Sequence, residues 1–406
     1  MARAAPPLGY QQNALLVDDL QSLSGWSNTG GNGSGSFELV QGGGPTPELP
    51  NFIRLTADAG GTQFRIKKDV SFPLFNGHFG FWIRVPGGAS KVNAFRFFPW
   101  LSPHFGSGYY QLNWNASDFL DQLGARWQFV TYRIAQMNAV NPATNPPDLS
   151  AKVSNIYIGF DSLAGEDNVQ VDFAGVWAGV RQRPKLIFSF DDSNDTDYTV
   201  AFPYLAARGI KATTYQIRDR IGTAGRLTEP QLEELQQAGW IIGSHGGPDL
   251  TTLSAQELDN EIAAAKDWNR TRGFSWEHYA YPLGKHNEAT AKALRKKGFR
   301  TARLVDSTFR CAALGGANQA LRWPGYGSSQ SDLAGHKAFL DDVIRHGEFY
   351  EYYSHRIQPG GGAGHVDTAI WQGFVDYAVE QKDKGLLDIV TTKEAHDGIA
   401  GPRTGA

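Results

Sequence analysis

The stretch KLIFSFDDSNDTDY, residues 185–198, decides the fold of this 406-residue chain. Its first six residues form an apolar run with the length of a buried strand, and the run ends on two adjacent carboxylates, Asp191 and Asp192. Neighbouring side chains of a strand point to opposite faces. Two adjacent acids can serve one site only where the strand has ended and the chain is turning. Like charges that close also shift each other's proton affinity, so the pair reads either as solvated loop or as the rim of an active site.

From residue 185 onward the same grammar of strand, loop and helix repeats. KLIFSF is followed by a helical TVAFPYLAARG, KATTYQI precedes TEPQLEELQQAG, and WIIGSH precedes SAQELDNEIAAAKDWNRTRG. HYAYP, FRTARLV, ALRWP, EFYEYYSH and LLDIVTT continue the strands, with helical segments between most of them. Ser254 and Glu257 have the spacing of a capping box. Such alternation predicts a parallel sheet closed into a distorted (β/α)7–8 barrel. In barrels of this kind chemistry gathers at the carboxyl ends of the strands. Those ends carry Asp191 and Asp192, then His245, then the Tyr-Pro-Leu-Gly run at 281–284, then Arg322, then His355. Two carboxylates, two imidazoles and a guanidinium converging on one face are the inventory of metal-assisted hydrolysis.

The first 180 residues read differently. Short runs such as NFIRLTADAG, TQFRIKKDVSF, HFGFWIRVP and NVQVDFAGVWAGV alternate polar and apolar residues between Gly, Pro, Asn and Ser clusters. They predict an all-β sandwich or jelly roll over 1–180, joined through GVRQRPK (179–185) to an α/β domain over 181–406. A net charge of −3 lacks the basic footprint of a nucleic-acid binder. The single cysteine, Cys311, excludes an intramolecular disulfide framework and a cysteine-rich metal knuckle. No run of 18 apolar residues is present to span a membrane. The opening MARAAPPLGYQQNALLVDDL has no continuous apolar core of the kind a signal peptide carries.

The second half resembles the NodB-homology polysaccharide deacetylases, carbohydrate esterase family four. FSFDDSNDTDYTVAFPYLAARGIKATTYQI looks like the family's first motif with the helix and strand that follow it. LTEPQLEELQQAGWIIGSHGGPDLTTLSAQEL, YAYPLGKHNEATAKALRKKGFRTAR and EYYSH resemble the later motifs, in the same order. The resemblance implies a NodB-like barrel and hydrolytic removal of acetyl groups, foremost N-acetyl, from an acetylated polysaccharide. It implies Asp191 as general base, His355 as general acid, and the backbone N–H of Leu283 facing the developing oxyanion. Arg322 is then expected to hold the base carboxylate. Asp192 and His245 are the implied ligands of a divalent metal, with zinc as the default.

The second motif departs from the family pattern of a histidine, three residues and a second histidine. Here it reads His245-Gly246-Gly247-Pro248-Asp249. Counting forward puts Asp249 in the third ligand's place, and a carboxylate oxygen is a competent zinc ligand. Aligning on the downstream PDLTTLS instead makes Asp249 a helix-entry residue. Asp249, His286 or no protein group at all remain open as third ligand. Ala280 stands where an arginine is frequent, and Ser193 where glycine is usual. A degenerate, non-catalytic glycan-binding protein and a metal-independent cyclic-amide hydrolase are the rival expectations. Trp82, Trp100, Trp114, Trp127 and Trp177 are candidate sugar-stacking residues, with NAFRFFPW and HFGSGYY the densest aromatic stretch. A role of the β-rich half in attachment, and an extracellular or cell-surface, phage-borne setting, complete the expectations.

Overall fold

A computed structural model of the chain describes residues 14–29, 34–58, 63–101, 109–115, 125–133, 138–140, 149–305, 319–329 and 331–400. Cys311, the 104–108 part of HFGSGYY and the side chain of Trp114 fall outside the described residues. The chain divides into two compact units, Met1–Arg181 and Gln182–Ala406.

Two antiparallel sheets build the first unit. One is centred on Val169–Val180, flanked by Phe52–Ala57 and His78–Arg84; the other on Lys152–Ser162, flanked by Gln63–Pro73 and Val92–Leu101. The alternating apolar side chains of the two sheets meet face to face. Phe81 of the first sheet lies 5.4 Å, ring to ring, from Phe97 of the second, and Phe173 lies 6.3 Å from Phe95. The NAFRFFPW aromatics are therefore largely core: Phe95, Phe97 and Phe98 are buried, and so is Trp177, which packs edge-on against Phe129.

Among the described residues of the second unit one sheet has eight parallel strands: β1 (Lys185–Phe190), β2 (Thr213–Gln216), β3 (Ile241–His245), β4 (His278–Ala280), β5 (Thr301–Arg303), β6 (Gly325–Gly327), β7 (Phe349–Ser354) and β8 (Asp388–Ile389). The sheet order is β5-β4-β3-β2-β1-β7-β6, with β8 beside the start of β1. A parallel bridge from Arg303 to Trp323, two residues before β6, carries the two ends of the sheet toward each other. The sheet is thus a nearly closed barrel. Helices cover its outside, the longest being α1 (Ala255–Thr271), α2 (Leu333–His346) and α3 (Thr368–Asp383). The Ser254–Glu257 capping box does form at the start of α1.

Strand parity sorts the side chains. Leu186, Phe188 and Phe190 of β1 belong to one buried cluster with Trp371 and Phe374 of α3. Ile187 packs instead with Phe349 and Trp323, so 187, 189 and 191 carry the opposite parity, into the barrel. On β7 the outward pair is Tyr350 and Tyr352, which leaves Phe349, Glu351 and Tyr353 inward. Parallel register also aligns the carboxyl ends, with His245 beside Ala280 and Ala280 beside Arg303.

Candidate active site

Asp191 is the first residue beyond β1, and its N–H donates to the Ser354 carbonyl at 2.9 Å. It keeps the inward parity and is only 2% exposed. Asp192 would point away if the strand went on. Instead Asp192 and Ser193 both adopt left-handed backbone angles, φ 69° and 60°. Such angles cost a non-glycine residue on the order of 1–2 kcal/mol each and persist only where the surroundings fix them. The fixing groups are visible. The Ser193 hydroxyl accepts from the Ile217 N–H at 3.0 Å, the Asn194 amide donates to the Asp191 carbonyl at 3.0 Å, and Arg226 donates to the Asp192 carbonyl at 3.0 Å. The turn brings both carboxylates to the same mouth, which resolves how neighbouring acids can share a site.

The guanidinium at Asp191 belongs to Arg303, at the end of β5, and not to Arg322. Arg303 Nη2 hydrogen-bonds Asp191 Oδ2, Nη1 donates to the Leu304 carbonyl at 3.1 Å, and the cation lies 4.2 Å from the Tyr353 ring centre. Gly325 permits this approach, since a Cβ there would meet the Leu304 oxygen at 2.3 Å. Arg322 is buried near Tyr281, on the segment that leads into β6. The contact with Asp191 that was expected of Arg322 is made in this structure by Arg303. The run FRTARLV goes on through Leu304 and Val305, so in sequence the arginine lies inside an apparent strand, whereas the structure ends β5 at Arg303. Burial pushes the Asp191 carboxyl up, but Arg303, His245 and His355 together outweigh it and hold the group below the usual carboxylate range.

His245 closes β3. Its Nδ1 lies 2.8 Å from the Ala280 carbonyl, which assigns the proton to that nitrogen. Nε2 on the other side of the ring faces Asp192 Oδ1 at 3.7 Å. A ring anchored through one nitrogen to a carbonyl, with the other nitrogen beside a carboxylate, is the arrangement of a metal-ligating histidine with its supporting shell. Arg220 Nη1 stands 3.3 Å from the same Asp192 oxygen. The donor pair fits a divalent ion held by two protein groups. Among the described residues no third His, Cys, Asp or Glu completes a cluster.

Asp249 is engaged elsewhere. Its Oδ1 accepts from the Thr251 N–H at 3.0 Å and the Thr251 hydroxyl at 2.6 Å, and its Oδ2 pairs with Lys285 Nζ at 2.7 Å. Lys285 and Thr251 draw its carboxyl down to about 2. It caps the short 3-10 turn Leu250–Thr252, the helix-entry place that the alignment on PDLTTLS gives it, and here its carboxylate is turned to Lys285 and Thr251. His286 lies 5.5 Å from the Tyr281 ring.

His355 follows β7 and is half-buried. Its Nδ1 lies 3.1 Å from the Gly364 carbonyl, so the glycine-rich loop at 360–364 holds the ring from one side. Leu283 takes a left-handed backbone, φ 57°, with its side chain 72% exposed. An exposed, strained leucine just past a strand end is held for its backbone and not for its packing.

Residues 178–302 match the family model for polysaccharide deacetylase. The C-terminal unit carries a polysaccharide deacetylase domain. The protein YxkH of Bacillus subtilis (strain 168), named for that family, is 34% identical over 118 residues, covering 28% of this chain and 42% of the relative. The poly-beta-1,6-N-acetyl-D-glucosamine N-deacetylase of Staphylococcus epidermidis is 32% identical over 130 residues, 28% of this chain and 45% of the relative. The chain thus spans less than half the length of these curated relatives. Among solved structures, the Streptococcus pyogenes deacetylase PplD in complex with acetate is 27% identical, with a TM-score of 0.32, over 34% of this chain and 62% of that one. In this deacetylase domain the four strand ends of β1, β3, β5 and β7 supply the acids, imidazoles and guanidinium described above.

Proposed function

We propose that the protein hydrolyses acetyl groups, foremost N-acetyl, from an acetylated polysaccharide outside or on the surface of a cell. The observation that carries this reading is the buried Asp191 carboxylate, held ionised by Arg303 beside the Asp192–His245 pair. An amide carbonyl resists neutral water, so the reaction needs a base, an acid and charge stabilisation at the oxygen. Asp192 and His245 would hold a divalent ion, and such an ion would polarise the carbonyl and acidify water. Asp191 takes the proton of the attacking water as its oxygen bonds to the carbonyl carbon. The Leu283 N–H meets the negative charge that develops on oxygen; one such donor is worth about 3–4 kcal/mol. His355, in its protonated form, delivers a proton to the nitrogen as the C–N bond breaks, which leaves acetate and a free amine.

The test is acetate release from a panel of N- and O-acetylated glycans, with Asp191→Asn as control. The expected result is release by the parent and a loss of about 10²–10⁴-fold in the variant. Glycan binding without acetate release from any substrate would overturn the reading in favour of a lectin-like protein. Chelation and re-addition of zinc separate a metal-assisted from a metal-independent hydrolase. That arm is pertinent because Asp249 does not join the donor pair.

A further inference from the structure

The loop beside His355 is held more firmly than a plain connection needs. Two short strands, Ile357–Gln358 and Val366–Asp367, pair in parallel at its base. The Gly360 N–H donates to Asp367 Oδ2 at 2.6 Å. The other oxygen of Asp367 caps α3, accepting from the N–H of Ala369 at 2.8 Å and of Ile370 at 3.2 Å. At the tip the His365 N–H donates to the Gly362 carbonyl at 3.0 Å. Gly360, Gly361, Gly362 and Gly364 all take positive φ, a path that L side chains rarely adopt. The loop is thus a strap of set course, tied at its base to the start of α3. Its far side places the Gly364 carbonyl 3.1 Å from His355 Nδ1. The ring also lies edge-on to Tyr353, with 5.8 Å between centres. Among the described residues no carboxylate hydrogen-bonds the His355 ring.

We propose that Gly364 is a positioning residue for the deacetylation: its carbonyl keeps a hydrogen on His355 Nδ1 and so makes Nε2 the atom that protonates the departing amine. The inference rests on the functional reading above. A carbonyl oxygen only accepts, so the ring nitrogen that faces it carries the hydrogen. In the protonated ring both nitrogens carry one, and the Gly364 contact retains the hydrogen on Nδ1. The proton that moves is the one on Nε2. It passes to the substrate nitrogen, which takes the electron pair of the breaking C–N bond, and the ring is left neutral in its Nδ1–H form. Which neutral form a histidine adopts is set by the hydrogen bond its ring makes, and here the strap makes it. The direction of the carbonyl follows from the backbone of Gly364, whose φ is 73°. A Cβ at that position would meet nothing within 4 Å. An alanine there therefore disturbs the path of the backbone and no packing.

Two measurements on the full chain test this. The first compares the parent, Gly364→Ala and His355→Asn on two substrates. One is an N-acetylated glycan, whose amine leaves only when protonated; the other is 4-nitrophenyl acetate, whose phenolate leaves without a proton. On the glycan both variants should lose roughly tenfold or more in kcat with KM within about twofold, and on the ester both should stay within about twofold of the parent. Gly209→Ala puts the same kind of strain, at φ 65° and with nothing within 4 Å of the Cβ, just past the helix Phe202–Ala206. It should match the parent on both substrates. The second measurement is the two-bond nitrogen–proton imidazole spectrum of the parent at about pH 8.5, with His355 assigned by difference from H355N. It should show His355 in the Nδ1–H form, and G364A should move it toward Nε2–H. A G364A variant that loses both activities alike, or neither, overturns the proposal, and so does a parent ring in the Nε2–H form. The tautomer is read on the parent, so the contact is decided even where G364A fails to fold. If the parent releases no acetate from any N-acetylated glycan, the functional reading fails, while the tautomer still decides what Gly364 does to His355.

Discussion

Replacing Arg303 by methionine removes the cation and keeps the apolar stem. Arg303 and Asp191 are both almost wholly buried, so neither charge has water to fall back on. Removing one partner of such a pair destabilises by about 3–5 kcal/mol, chiefly because the remaining charge is left uncompensated. Here two carboxylates, Asp191 and Glu351, lose the same partner, which puts the expectation at the upper end. The second unit has 225 residues (182–406). At that size each kcal/mol moves the melting temperature by about 2–4 °C, so a cost near the upper end should lower it by roughly 10–20 °C. The pH dependence is the sharper test. In the parent, Asp191 is held below its ordinary value, so its contribution is present above about 3.9 and lost as the pH falls through the folded value. In R303M the largest opponent of burial is gone and the carboxyl moves up, so the variant gains stability as the pH falls. The gap between parent and variant must therefore shrink from pH 8 to pH 5. Thermal melts at both pH values, with R303M, D191N and the double variant, give the gap and the coupling, expected above about 1.5 kcal/mol. A cost below about 1 kcal/mol at pH 8, or a gap that widens toward pH 5, refutes the reasoning.

Two further outcomes can be checked. Asp249→Ala should cost about 0.5–2 kcal/mol in urea unfolding, the worth of an N-cap, and leave bound zinc per chain unchanged by elemental analysis; a drop in zinc would restore Asp249 as a ligand. His278, buried on β4 beside the Thr301 hydroxyl, is pushed down by burial to about 3. Its neutral form is the folded one, so the stability it contributes is present above about 6.5 and falls at about 1.4 kcal/mol per pH unit toward 3. His278→Gln should flatten that part of the stability curve, and parallel slopes for the two proteins between pH 4 and 7 would sink the assignment.

Much of the molecule was legible before folding because the signals are local. Alternation over six residues marks a strand, and an apolar run closed by charges marks a buried strand with a functional end. Asp191, Asp192, His245 and His355 stood out for that reason, and the structure gathers them around one mouth. The aromatic stretch NAFRFFPW was also conspicuous, but periodicity does not say which face a ring takes, and the sandwich buries most of it.

Side-chain period and backbone preference act within a few residues, and they suffice to mark the strands, their order along the chain and most of the charged residues that end them. It takes the folded barrel to bring Arg303 rather than Arg322 to Asp191, to turn Asp249 to Lys285, and to set Glu351 behind the cation. Each of those pairings joins residues far apart in sequence. Their partners are selected by how the parallel strands register and by how nearly the barrel closes, and in its dry interior an unpaired charge is too costly to leave alone.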